Sequence, residues 1–315
     1  MKRFITRNLH CLQPLSPLST FVKVVEVGPR DGLQNVTTVI PTETKVELID
    51  RLSACGFASI ESTSFVSPKW VPQLADGREV LARIRRAPGT EYPVLVPNLK
   101  GLENALACGG VTEIGIFTAA SEAFCKKNTN CTIEESFGRF VPTLELAKEK
   151  GVAVRGYVSC VAGCPYQGAV SSASVARVSE RLLQMGCYEV SLGDTIGVGR
   201  PGQIRQLLAD ILPDLPVENL ALHAHDTYGQ ALANVYVALD AGLRVFDSSV
   251  AGLGGCPYAQ GASGNVASED LLYMLEGSGC QTGVDLEKVV ETGHFISDVL
   301  KRSNGSKVGN ARAPK

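Results

Sequence analysis

His223-Ala-His225 is the most chemically suggestive triplet in the chain, because only four histidines occur in 315 residues. It closes a Leu-rich run beginning at Leu220 that reads as a buried strand. The period of two along a strand sends residues 223 and 225 to one side and Ala224 to the other, so both imidazoles face one point. Asp31, at the end of an earlier Val-rich run, can offer an oxygen to that point, and Asn265 can offer a carbonyl oxygen from the glycine-rich turn 261–265. Imidazoles with oxygen donors and no thiolate suit Mg²⁺ or Mn²⁺ better than a structural zinc, and such an ion keeps positions open for substrate. Arg30 precedes Asp31 directly, which sets a guanidinium beside the ion where a developing oxyanion would be stabilised. A structural ion pair is the alternative for Arg30.

Segment 249–258 reads Ser-Val-Ala-Gly-Leu-Gly-Gly-Cys-Pro-Tyr. Glycines at 252, 254 and 255 give a backbone able to close over a ligand, with Cys256 at the tip and proline after it. A thiol placed there is expected to transfer a proton or act as a nucleophile. The ten cysteines contain no C-x-x-C pair, and the chain is far from a disulfide scaffold. Gly193-x-x-x-Gly197-x-Gly199 is too weak to read as a phosphate cradle, and neither a Walker A nor a dinucleotide fingerprint occurs.

These groups need a frame. From Val22 onward the sequence repeats a short apolar run, a polar or Gly-rich elbow and a helical stretch. Eight runs stand out: Val22–Val27, Ser59–Glu61, Pro93–Val96, Glu113–Phe117, Ala153–Val158, Glu189–Leu192, Leu220–His223 and Val245–Ser248. Eight βα units in about 250 residues point to a (β/α)₈ TIM barrel of class α/β, with an additional C-terminal helix from about Asp285 to Arg302. Arg30-Asp31, Glu61, Asn98, Ser159, Asp194-Thr195, His223-x-His225 and Ser248-Ser249 all fall at or just past strand ends, which a barrel brings to one mouth. An open doubly wound sheet is the alternative. Thr44-x-x-Glu47 and Thr132-x-x-Glu135 fit capping boxes, Ser268 stands ahead of Glu269 and Asp270 in a first turn, and Leu48, Ile49, Leu52 and Cys55 form a core stripe.

A formal charge of −2 gives nucleic acid or an anionic membrane no electrostatic handle, and no apolar stretch is long enough to span a bilayer. With 44% hydrophobic and 20% charged residues the chain is a globular protein able to bury a large core. Residues 1–21 stand apart as an N-terminal extension, with Lys2, Arg3, Arg7, four hydroxyl side chains and no acid. They read as a possible mitochondrial transit peptide, the alternative being a tail on a cytoplasmic protein. Residues 22–315 then form a single barrel domain with its C-terminal helical region.

From Val22 to about Lys307 the chain resembles the hydroxymethylglutaryl-CoA lyase family. The stretches that carry the likeness are Val-Glu-Val-Gly-Pro-Arg30-Asp31-Gly-Leu-Gln34, residues 64–73, Tyr157-Val-Ser-Cys, Gly163-Cys-Pro-Tyr166, Ser191-Leu-Gly-Asp194, His223-Ala-His225-Asp and the Cys256 loop. The resemblance implies a metal-dependent lyase that uses Mg²⁺ or Mn²⁺ to cleave 3-hydroxy-3-methylglutaryl-CoA to acetyl-CoA and acetoacetate, a step of leucine breakdown and ketone-body formation. It implies Asp31, His223, His225 and Asn265 as metal ligands, and Cys256, Arg30, Asp194 and Glu61 as the catalytic set. Arg30, Gln34, Lys127 and Asn128 would meet the acyl-CoA, and a homodimer in the mitochondrial matrix is expected. Position 224 is Ala where relatives carry Cys, and the last cysteine is Cys280, so the tail thiol that senses redox state in the animal enzymes has no counterpart. A homocitrate- or isopropylmalate-type synthase is the rival enzyme; those usually read His-x-His-Asn and lack the cysteine loop. A barrel serving only as a binding scaffold would have lost a ligand or an acid–base residue.

Overall fold

The computed structural model describes residues 21–255 and 264–313. Its strands are β1 (Lys23–Glu26), β2 (Ser59–Ile60), β3 (Thr63–Ser64), β4 (Val94–Leu95), β5 (Glu113–Ala119), β6 (Ala153–Ser159), β7 (Glu189–Asp194), β8 (Leu220–Ala224) and β9 (Val245–Ser248). All pair in parallel, in the order β2-β1-β9-β8-β7-β6-β5-β4-β3. The two ends of that list are pieces of one rail. β2 pairs with β1 and β3 with β4, only Glu61 and Ser62 lie between them, and the amides of these two donate to Glu26 O at 2.8 Å and Pro93 O at 2.9 Å. The sheet therefore closes into a barrel of eight rails, which removes the open-sheet alternative. Each of the eight expected runs carries a strand.

Period two divides each strand between two environments. Val24, Ile114, Ile116, Val154, Val158, Val190, Leu192, Leu222 and Phe246 join the core shared with the surrounding helices. Val25, Val27, Ala221 and Val245 form a separate small cluster. The register sets Arg155 beside Glu189, Tyr157 beside Ser191, and His223 beside Asp247. Arg155 on β6 reaches Asp247 on β9, 2.8 Å away and beyond two intervening strands, so the interior beside that small apolar cluster holds buried charge rather than only apolar side chains. Gly115 of β5 makes room for the Tyr157 ring, which packs beside Arg155, since a Cβ there would lie 2.8 Å from that ring.

The helical punctuation follows the sequence in part. Thr132 and Glu135 form a reciprocal capping box on the helix Ile133–Glu149, and the stripe Leu48, Ile49, Leu52 and Cys55 is buried. Thr44 does not cap. The helix Thr42–Ala54 begins earlier, behind Pro41, whose φ of −58° and ψ of 147° set the entry without a side-chain cap. Ser268 is the first residue of the helix Ser268–Gly277 and spends its hydroxyl on Glu26 at 2.5 Å. The C-terminal helix expected from about Asp285 to Arg302 spans Leu286–Leu300, with Asp285 as its cap, and Asp270 ties down a further short helix, Lys307–Ala311, through Ser306 Oγ and the amides of Lys307 and Val308.

Two buried carboxylates fix the turn that leads from β9 into the glycine loop. Glu26 accepts from Gly28 N at 2.7 Å and Val250 N at 3.0 Å, while Glu269 takes Ala251 N on both oxygens at 3.0 Å. Ala251 is held there at φ 55°, a left-handed conformation that a non-glycine residue adopts only under such constraint. Burial pushes Glu26 up to about 7 and Glu269 up to about 8. Both exceed the ordinary carboxylate value, so the folded chain retains protons that the unfolded chain releases. Their contribution is fully present below about pH 4.5 and is lost as pH rises through about 7 and 8. Urea unfolding followed from pH 5 to 8 should show stability falling, with up to about one proton per carboxyl in the slope. Glu269→Gln should flatten it; an unchanged slope would remove Glu269 as its source.

Candidate active site

At the β1 end, the tight turn Gly28–Gly32 turns Arg30 and Asp31 inward. Arg30 is 7% exposed. Its Nη1 lies 2.8 Å from Asp31 Oδ1 and its Nη2 2.7 Å from Glu61 Oε2. Burial works against the guanidinium, but Glu61 and Asp31 outweigh it and hold the charge above its usual range. Its Nε is buried without an acceptor. Burial likewise raises Glu61, and Arg30 opposes that shift.

His223 is the last residue but one of β8 and His225 follows the strand in a bridge with Asn265, so the segment after the glycine loop is pinned against the histidine pair. The two Nε2 atoms face each other at 3.2 Å. Asp31, His223 and His225 each offer a ligand atom, all within 4.8 Å of one another, and among the described residues no other such group of His, Cys, Asp and Glu occurs. Asn265 Nδ2 donates to Asp31 Oδ2 at 2.8 Å and to Leu253 O at 3.1 Å. Gly254 permits this: it sits at φ 130°, and a Cβ there would lie 2.7 Å from Asn265 Nδ2. Gln34 Nε2 donates to Asp31 Oδ1 at 2.8 Å. Burial lowers His225 to about 4, with His223 adding to the effect, so this imidazole is neutral. Burial raises Asp31, but Arg30 and the two histidines pull it below its ordinary value.

Three observations fit a divalent cation at this point. Two imidazole Nε2 edges and a carboxylate converge. Among the described residues no donor meets the buried Asn265 Oδ1 in good hydrogen-bond geometry. Finally, Arg30 and Arg155 are in contact with Asp31, Glu61, Asp247 and Glu189; two guanidiniums against four carboxylates leave two negative charges in excess when all are ionised.

The structure thus gathers Arg30, Asp31, Gln34, Glu61, His223, His225 and Asn265. Asp194 ends β7 and accepts from Val198 N at 3.1 Å and Gly199 N at 2.8 Å. Burial pushes it up to about 6 against those hydrogen bonds. Lys127 and Asn128 are exposed on the helix Glu122–Thr129, which starts just past β5. Cys256 lies outside the described residues, although Gly255 before it accepts from Asn35 Nδ2 at 3.0 Å. Sequence reasoning missed Asp247, Arg155, Tyr157 and Glu189. For Arg155, Glu189 and Asp247 the signal was there: a charged residue within an otherwise apolar strand.

A family model described as HMGL-like matches residues 21–296. The mitochondrial hydroxymethylglutaryl-CoA lyase of Gallus gallus is 60% identical over 290 residues, 92% of this chain and 97% of that protein. The cytoplasmic 3-hydroxy-3-methylglutaryl-CoA lyase of Rattus norvegicus is 57% identical over 297 residues, 94% and 86% of the two chains. Relatives of this chain therefore include both mitochondrial and cytoplasmic forms. The structure of an HMG-CoA lyase from Acinetobacter baumannii in complex with coenzyme A and 3-methylmalate superposes with a TM-score of 0.89 at 37% identity, covering 95% of this chain and 97% of that one. With identity of this order over nearly its full length, and the Arg-Asp and His-x-His groups at one barrel mouth, the chain belongs to the HMGL-like family, among its hydroxymethylglutaryl-CoA lyases.

Proposed function

We propose that the chain cleaves 3-hydroxy-3-methylglutaryl-CoA to acetyl-CoA and acetoacetate with Mg²⁺ or Mn²⁺ held by Asp31, His223, His225 and Asn265. The observation that carries this is the Asp31–His223–His225 cluster standing directly beside the buried, charged Arg30. When bound, the ion supplies Lewis-acid polarisation of the substrate's tertiary hydroxyl and an acyl carboxylate oxygen.

The chain's own groups do the rest. A base removes the hydroxyl proton, the C3–O electrons form the new ketone as the C2–C3 bond breaks, and the released pair moves onto the thioester as an enolate. Arg30 holds its charge in a desolvated interior, pinned between Asp31 and Glu61, where it neutralises the enolate oxygen without reorganising. An acid then protonates C2, giving acetyl-CoA. Asp194, ionised at neutral pH with its value near 6, suits the base, and the Cys256 thiol suits the acid. Gln34 steadies Asp31 beside the acyl group, and Lys127 and Asn128 are the candidates for the CoA portion. The Acinetobacter baumannii structure, with its coenzyme A, supports a CoA thioester as substrate class. A homodimer and import into the mitochondrial matrix through residues 1–21 complete this reading.

A product assay with purified protein should give acetyl-CoA and acetoacetate in equal amounts, with activity lost in EDTA and restored by Mg²⁺ or Mn²⁺. Activity that survives exhaustive chelation would overturn the metal's role. Changing His225 to Ala should weaken Mn²⁺ binding sharply; wild-type metal content in that variant would move the site elsewhere.

Arg30→Gln should lower kcat by about 10³-fold, the scale of losing a preorganised oxyanion partner, while Mn²⁺ binding survives. Cys256→Ser should also be crippled yet still bind ion and substrate, because a hydroxyl is a far weaker acid than a thiol. Near-normal turnover in either variant would remove that residue from the chemistry. Deleting residues 1–20 should preserve activity, since β1 begins at Lys23, but leave the protein in the cytosol; unchanged localisation would reduce the segment to a tail.

A further inference from the structure

We propose that Asp247, itself fixed by Arg155 and Ser191, is a positioning residue that locks His223 as the Nδ1–H tautomer and so turns the lone pair of Nε2 toward Asp31 and His225. The inference rests on reading His223 as a metal ligand and adds what makes it one.

Asp247 is 1% exposed, on β9, and each of its oxygens has a set task. Oδ1 lies 2.8 Å from Arg155 Nη2. Oδ2 accepts from Ser191 Oγ at 2.7 Å and lies 3.2 Å from His223 Nδ1. Arg155 cannot drift away from this contact. Its Nε donates to Glu189 Oε1 at 2.6 Å, its Nη1 donates to Tyr157 Oη at 3.0 Å, and its guanidinium lies 5.0 Å from the centre of the Tyr157 ring. Beside a guanidinium the Asp247 carboxyl stays ionised, and an ionised carboxylate can only accept. The hydrogen on the His223–Asp247 contact must therefore be carried by Nδ1.

A neutral imidazole has one N–H, so placing it on Nδ1 leaves the lone pair on Nε2. That nitrogen is 3.2 Å from His225 Nε2 and 4.0 Å from Asp31 Oδ2, at the convergence point of the cluster. The opposite tautomer would aim a hydrogen at the ion. A carboxylate that orients a ligating histidine in this way typically changes metal affinity by about 10- to 100-fold. The competing view is that Asp247 serves only to neutralise Arg155. In that case either tautomer of His223 would serve, and Mn²⁺ affinity would not depend on the ability of Asp247 to accept from Nδ1.

The test is long-range ¹H–¹⁵N correlation NMR on metal-free protein labelled with ¹⁵N-histidine, at alkaline pH where imidazoles are neutral. The chain has only four histidines, and the His223 signals are identified by their loss in His223→Gln. The wild type should show His223 as Nδ1–H, and Ser191→Ala, which leaves the Asp247 carboxylate in place as an acceptor, should keep it so. Asp247→Asn, whose amide can donate to Nδ1, should move it toward Nε2–H and bind Mn²⁺ about 10- to 100-fold more weakly by electron paramagnetic resonance titration. Should Asp247→Asn fail to fold because Arg155 is left unpaired, the tautomer of the wild type and of Ser191→Ala decides the matter. An Nε2–H tautomer in the wild type overturns the proposal, as does unchanged Mn²⁺ affinity in a folded Asp247→Asn. A wild type that shows Nδ1–H yet binds no Mn²⁺ would instead overturn the reading of His223 as a ligand.

Discussion

Two guanidiniums buried inside the barrel govern the arrangement of everything around them. Arg30 and Arg155 have side chains only 8% and 2% exposed, and a cation removed from water to that extent persists only when paired and hydrogen-bonded. The barrel supplies four carboxylates, one more per arginine than neutrality needs. That excess is what a divalent ion would match. The Tyr157 ring couples the two halves, with Arg155 at 5.0 Å and Arg30 at 5.8 Å from its centre. Through Asp247 the Arg155 half holds a histidine, and through Asp31 the Arg30 half holds a carboxylate. Both partners point at the same place.

The mouth is closed by a second set of buried acids with a different task. Glu26 and Glu269 take the amides of Val250 and Ala251, and Asp270 takes those of Lys307 and Val308. Among the described residues these carboxylates have no guanidinium partner. Glu26 and Glu269 act as backbone clamps that hold Ala251 in a left-handed turn and launch the chain toward Gly254, where the missing side chain lets Asn265 sit against the loop. Asn265, the proposed fourth ligand, and the backbone at Gly254 are thereby set by one piece of local geometry.

The eight strands were legible in the sequence because parallel barrel strands present Val, Ile and Leu to the helices outside, and that outer face is continuous enough to read. His223 and His225 were legible for a related reason: period two is a backbone property, independent of what surrounds the strand. Asp247 was not. In the sequence it looks like a charge interrupting an apolar run, and its partner Arg155 lies 92 positions earlier, so only closure of the barrel brings the two within 2.8 Å. Thr44 misled because a capping box is a local pattern, and Pro41 had already set the helix start. Ser268 with Glu269 and Asp270 did read correctly as a first turn, but the bond of the Ser268 hydroxyl to Glu26, 242 positions away, has no local signal.

The central claim is that this charge-rich interior is built around one divalent ion at the point shared by Asp31, His223, His225 and Asn265. Anomalous diffraction from crystals grown with Mn²⁺, recorded above and below the manganese absorption edge, tests it most directly. The account predicts a single strong peak about 2.1 Å from an Asp31 carboxylate oxygen and the two imidazole nitrogens, with Asn265 Oδ1 completing the protein ligands. A peak located elsewhere, or no ordered manganese at that point, would contradict it.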